Sequence, residues 1–196
     1  MSTCVVFYSW GGNNEALATF LSKRLECSVV RIVESKLRAG WTIFFDLLFG
    51  RVPALERLDE PFEAHEHVIL CGPVWAGRLA APLRAFLRAH GPQLRDYSFI
   101  SLCGHDRPEQ RAALEDELAR RVGHAPRALC QLPVSDLLPP EQRHRLRSVN
   151  AHRVQVSELS HYGAELDEFL RGAGLSGAPL ASVAPPFGGR RNAQHR

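Results

Sequence analysis

Short apolar runs alternate with helical periods along this chain, and that alternation leaves few folds open to it. The runs are Cys4 to Tyr8, Ser28 to Val33, Val68 to Cys71, Ser98 to Cys103 and Arg127 to Leu132. Between them, apolar residues return at helical spacing: Leu17, Phe20, Leu21 and Leu25, then Leu83, Phe86 and Leu87, then Leu114, Leu118 and Val122. Leu159, Tyr162, Leu166 and Phe169 predict a last helix around 157–170. Local signals agree with this division. Asn13 or Asn14 can cap the first helix, Pro82 opens the second, Gly91 closes it, and Asp106 with Glu109 caps the third. Strands joined through helices run parallel, and such a sheet is covered on both faces.

Two stretches fall outside the alternation. Ser35 to Glu60 should hold the crossover between the second and third strands, and Gly40 and Gly50 bracket its apolar run Trp41 to Phe49. That run reads either as a helix on the sheet or as an apolar surface for a partner or substrate. The stretch 173–196 is rich in Gly, Pro, Ala and Arg without periodicity, which predicts a disordered tail behind a single domain at 1–172.

Charge and cysteine content exclude several classes. The net charge is +3, with Lys only at Lys23 and Lys36, so the sequence predicts a mildly basic surface and no nucleic-acid partner. The 5 cysteines are odd in number and include no C-x-x-C, which fits buried free thiols in a reducing compartment. The first strand starts a few residues from Met1, leaving no room for a leader, and Trp41 to Phe49 contains Asp46 and falls far short of the ~20 residues of a membrane helix. A cytoplasmic protein with no membrane partner is expected. His65 and His67 would share a strand face, but no Cys or carboxylate stands at metal spacing from them, so no metal site is expected.

Chemistry is concentrated at Ser9-Trp10-Gly11-Gly12-Asn13-Asn14, between the first strand and its helix. Glycines that reach φ > 0 expose successive N–H groups, and a helix N-terminus adds partial positive charge, so the loop is built for an anion. No Lys-Ser/Thr follows the glycines, which excludes a triphosphate P-loop, and the spacing is not G-x-G-x-x-G. A single phosphate held by backbone and small side chains remains. Trp10 either covers such a ligand or covers only the loop.

A second motif follows the third strand: Cys71-Gly72-Pro73-Val74-Trp75-Ala76-Gly77-Arg78-Leu79-Ala80-Ala81-Pro82. It resembles the Gly-Thr-Pro-Val-Trp-Ala-Gly loop of the flavodoxin-like family, which includes FMN-binding flavodoxins and NAD(P)H:quinone reductase-like proteins. The resemblance runs from about Thr3 to Leu170. It implies a three-layer α/β fold with a five-stranded parallel sheet in the order 2-1-3-4-5, and FMN as cofactor. Ser9, Trp10, Gly11, Gly12, Asn13 and Asn14 would surround the phosphate. Pro73, Val74, Trp75, Ala76 and Gly77 would line one side of the isoalloxazine, with Trp75 near its face. Cys103, Gly104 and His105 would border the other edge.

The implied function is a flavin-dependent oxidoreductase that passes electrons or hydride to a small-molecule acceptor or a redox partner protein, with a homodimer admitted. The slightly basic charge favours a reductase over a strongly acidic electron shuttle. His105 would either donate to reduced flavin or substrate or be a plain loop residue. Cys71 and Cys103 lack the Cys-x₅-Arg spacing of a phosphatase nucleophile and read as packed thiols.

The sequence departs from the family at one point. The family's phosphate loop reads Ser/Thr-x-Thr-Gly-Asn-Thr; here only Ser9 keeps a hydroxyl, and Gly11 and Asn14 replace the other two. At ~1.5–3 kcal/mol for a hydrogen bond to a charged group, two losses weaken binding by ~10²–10⁴. The Asn14 amide and the Gly11 N–H are expected to recover part of that, and no Arg or Lys lies inside the loop. The alternative function is therefore a flavodoxin-like binding or regulatory module that has lost tight FMN binding.

Overall fold

A computed structural model describes residues 1–35, 53–105 and 108–176. The apolar run Trp41 to Phe49, the Asp106 cap and residues 177–196 lie outside the described residues. In chain order the elements are β1 (Thr3–Phe7), α1 (Asn13–Leu25), β2 (Ser28–Arg31), β3 (His67–Cys71), β4 (Val74–Trp75), β5 (Arg78–Leu79), α2 (Ala81–His90), β6 (Tyr97–Cys103), α3 (Pro108–Val122), β7 (Leu129–Pro133), α4 (Leu146–Ala151) and α5 (Gly163–Gly172). Short 3₁₀ turns, among them Val134–Leu137 and Val156–Tyr162, fill parts of the connections.

Five strands form one parallel sheet in the order β2-β1-β3-β6-β7. With the β4–β5 hairpin set aside, this is the predicted 2-1-3-4-5 order. The inner strands β1, β3 and β6 are buried on both sides because their side chains alternate between two cores. Cys4 and Val6 of β1 meet Leu83, Phe86 and Leu87 of α2 and Leu114 and Leu118 of α3. Val5 and Phe7 point the other way, to Leu17 and Leu21 of α1 and Leu166 and Phe169 of α5. At ~1.5–3 kcal/mol for each large apolar side chain removed from water, these two layers are the main source of stability. The helical periods of the sequence mark the buried faces of α1, α2, α3 and α5.

The structure also corrects the local expectations. Gly12, not an asparagine, holds the cap position of α1, and no side chain caps that helix. The Gly72–Ala81 stretch is not a plain loop but contains the β4–β5 hairpin. Order extends past 172: Ala173 is buried and Leu175 packs on the α1/α5 core, its N–H donating to the Leu170 carbonyl. His67 is buried with Nδ1 3.2 Å from Asp96, whereas His65 precedes the strand and contacts Ser28, so the two rings do not share a strand face. Among the described residues, no group of three or more His, Cys, Asp or Glu could hold a metal ion, and no helix is long and apolar enough to cross a membrane.

Candidate functional site

The winding of the sheet reverses between β1 and β3, and the loops leaving their carboxyl ends meet there. Tyr8 is still held to the sheet, its N–H donating to the Cys71 carbonyl at 3.0 Å, so the loop begins at Ser9. Gly12 has φ 90°, a conformation that glycine adopts without strain. Its N–H donates to Ser9 Oγ at 3.0 Å, which closes the loop on itself and leaves the serine hydroxyl proton to point elsewhere. A Cβ at Gly12 would meet nothing within 4 Å, so open space faces the loop. Trp10 is 47% exposed and stands at its rim.

The two asparagines are occupied by the protein itself. Asn13 donates through Nδ2 to the His152 carbonyl at 3.1 Å and accepts from the Val154 N–H at 3.1 Å. Asn14 is buried; its Nδ2 donates to the Leu102 carbonyl at 3.1 Å and its Oδ1 accepts from the Leu102 N–H at 2.9 Å. The amide expected to serve the ligand is therefore committed to β6. The polar groups of Asn14 instead join the start of α1 to the end of β6, one residue before Cys103.

A cleft of about 410 Å³ opens beside that junction. Val74, Ala76 and Gly77 form one wall; Cys103, Gly104 and His105 form the other; Glu109, Gln110 and Ala113 of α3 close it. The sequence grouped the first two sets, and the structure brings them together. It did not foresee the α3 contribution. His105 is turned by a hydrogen bond from its Nε2 to the Arg143 carbonyl at 2.9 Å. A larger hollow, about 570 Å³, lies elsewhere, beside Met1, Cys27 and Gly174. It lies near the amino end of β1, whereas sheets of this type bind ligands at the carboxyl ends of their strands.

The hairpin wall is tightly specified. Trp75 pairs with Arg78, and the two residues between them, Ala76 at φ 48° and Gly77 at φ 77°, are both left-handed, as a type I′ turn demands. The buried carboxylate of Glu117 accepts from the Leu79 N–H at 3.1 Å and from Arg121 Nε at 3.0 Å, fastening the hairpin to α3. Val74 lines the cleft and, like Trp75, packs on the α2/α3 core. Trp75 is not among the cleft-lining residues; its indole stands edge-on to Tyr8, with ring centroids 6.1 Å apart, and packs on the α2/α3 core. An L-residue such as Ala76 is strained at positive φ by roughly 1–2 kcal/mol, and asparagine tolerates that region better. Ala76→Asn should therefore stabilise the protein by ~0.5–1 kcal/mol in a urea melt. An unchanged midpoint would count against this turn geometry.

Cys71 is wholly buried, and burial pushes its thiol well above the usual range; Cys4 is likewise pushed up to about 12. Cys103 donates weakly to the His105 carbonyl at 3.4 Å. All 5 cysteines are free thiols.

The structure adds one residue that the sequence pattern passed over. A Cβ at Gly11 would lie 3.6 Å from Arg153 Cζ, so a guanidinium from the segment after α4 borders the anion loop. No local signal marked Arg153, because the stretch 133–156 carries no clear period.

Solved structures with the same architecture are flavoproteins. A Lactobacillus acidophilus flavoprotein determined in complex with FMN superposes with a TM-score of 0.57 at 16% identity, over 66% of this chain and 92% of that one. A putative flavoprotein from Bacteroides uniformis gives 0.56 at 15% identity, over 67% and 88%. Another from Bacteroides eggerthii gives 0.57 at 11% identity, over 86% and 98%. No protein-family model and no curated protein matches the sequence. The chain thus has a flavodoxin-like fold.

Proposed function

We propose that this protein binds FMN at the β1/β3 edge and passes electrons or hydride to a small acceptor or a redox partner protein. One observation carries the reading: an anion loop and a ring-sized cleft lie on one edge, joined through Asn14 and Leu102. The residues present fit the group. The loop opens onto free space at Gly12, Ser9 has a proton to donate, and the cleft walls are mostly small or apolar. The Lactobacillus acidophilus protein carries FMN on this architecture, which supports the same cofactor here.

FMN, when bound, supplies the redox chemistry, and the protein binds, positions and tunes it. Ser9 and the Gly11 backbone would hold the phosphate, and Trp10 would shield it from the rim. Val74, Ala76 and Gly77 would pack along one side of the ring, with Cys103, Gly104 and His105 along the other. Glu117 keeps the hairpin at its distance from α3 and so fixes the width of the cleft. Trp75, edge-on to Tyr8, would brace that wall.

A second reading has its own observation. The loop lacks two hydroxyls, and the Asn14 amide that was to replace one of them is bonded to Leu102. A binding or regulatory module without tight FMN accounts for that. Titration of the purified protein with FMN, followed by flavin and tryptophan fluorescence, separates the two. Saturable binding, with faster oxidation of a reduced nicotinamide by a quinone than free FMN gives, supports the first. A colourless protein that leaves flavin fluorescence unchanged supports the second.

A further inference from the structure

We infer that Arg153 is the charge partner of the ligand's phosphate and stands in for the hydroxyls that the loop lacks. This rests on the FMN reading above and assigns the anion contact within it. The guanidinium is placed by a specific device. Asn13 brackets Arg153, bonding the carbonyl before it and the N–H after it, so the arginine is held against the loop from which Asn13 itself comes. Above the loop, Cζ, Nη1 and Nη2 lie 3.6, 3.7 and 3.8 Å from where a Gly11 side chain would begin. The glycine leaves that approach open, and a threonine there would fill it.

The charge is also uncommitted. Nη1 donates to the Asn150 carbonyl at 2.9 Å and, more weakly, to the His152 carbonyl at 3.4 Å, which steadies the group without neutralising it. The nearest carboxylate in sequence, Glu158, is taken by His152 and by the Gln155 N–H. Among the described residues, Arg153 has no carboxylate partner. A planar fork with free N–H groups beside a glycine loop suits a phosphomonoester, which it can grip through two parallel hydrogen bonds. A ligand without the phosphate gains nothing from it.

The test compares FMN with riboflavin, which share the ring, in wild-type protein and in Arg153→Gln and Arg153→Lys. Affinities are read by flavin fluorescence over a range of NaCl, and apo stability by a urea melt. Arg153→Gln should weaken FMN by ~10–100-fold, with riboflavin changed by less than about twofold. Arg153→Lys, which keeps the charge and loses the fork, should fall between. FMN affinity of the wild type should decline with salt more steeply than that of Arg153→Gln. An unchanged FMN/riboflavin ratio in Arg153→Gln overturns the inference and leaves the FMN reading intact. Equal loss of both ligands with a lower urea midpoint also overturns it, since Arg153 would then only hold the segment in place. If wild-type protein binds neither flavin, the FMN reading itself fails and this inference with it.

Discussion

Asn14→Leu is expected to lower stability by ~3–5 kcal/mol and to remove flavin binding with it. The reason lies in how β3 ends. The Gly72 N–H still donates to Ile100 at 3.2 Å, and then the chain turns away into the β4–β5 hairpin. Leu102, two residues further along β6, faces the same side and finds no strand there. The Asn14 side chain takes the missing strand's place, accepting from its N–H and donating to its carbonyl. Leucine would fill the volume and leave both backbone groups buried without partners, at ~1–3 kcal/mol each. The Cys71 thiol would also lose its 3.9 Å contact with Oδ1. Asn14→Asp keeps the acceptor and loses the donor, so it should fall between wild type and Asn14→Leu in a urea melt. A cost for Asn14→Leu below ~1 kcal/mol would show that Leu102 is satisfied in another way.

That residue also marks where sequence reading stops. Apolar period is a property of neighbours in the chain, so it located the strands and the buried faces of α1, α2, α3 and α5 with little loss, while the sheet order followed from the family resemblance. Pro82 and Gly91 bracket α2 because their backbone chemistry acts locally. Asn14 was recognised as belonging to the site, but its partner is 88 residues away, and nothing local distinguishes an amide that greets a ligand from one that repairs a sheet. The hairpin escaped because each arm is two residues long, too short to show alternation, and Ala76-Gly77 is a weak I′ signal beside Asn-Gly. Trp75 was placed at the flavin by its motif; its edge-on contact with Tyr8, 67 residues away in the chain, carries no local signal. Arg153 was out of reach for the same reason as Leu102: it is brought to the loop by Asn13 across more than half the chain.

The anion loop supplies a large expected effect on ligand affinity with little effect on apo stability. Gly12→Val should weaken FMN by ~30-fold or more, whereas Gly12→Asn should stay within a few-fold of wild type. Space is not the issue, because a side chain at this position would touch nothing within 4 Å. The issue is φ 90°, which a β-branched residue resists and asparagine tolerates. Holding valine there costs roughly 2–3 kcal/mol, and the apo loop can relieve that cost by rotating to negative φ. Rotation would break the Gly12 N–H bond to Ser9 Oγ and turn the amides away from the ligand. Binding must then reverse it, so the strain is charged to FMN affinity while the urea midpoint of the apo protein moves little. Titration of both variants with FMN, beside melts of the apo forms, reads the difference. Equal weakening by Val and Asn would mean that the side chain obstructs the ligand and that backbone conformation is not what holds the phosphate. Wild-type affinity in Gly12→Val would remove the loop from the site altogether.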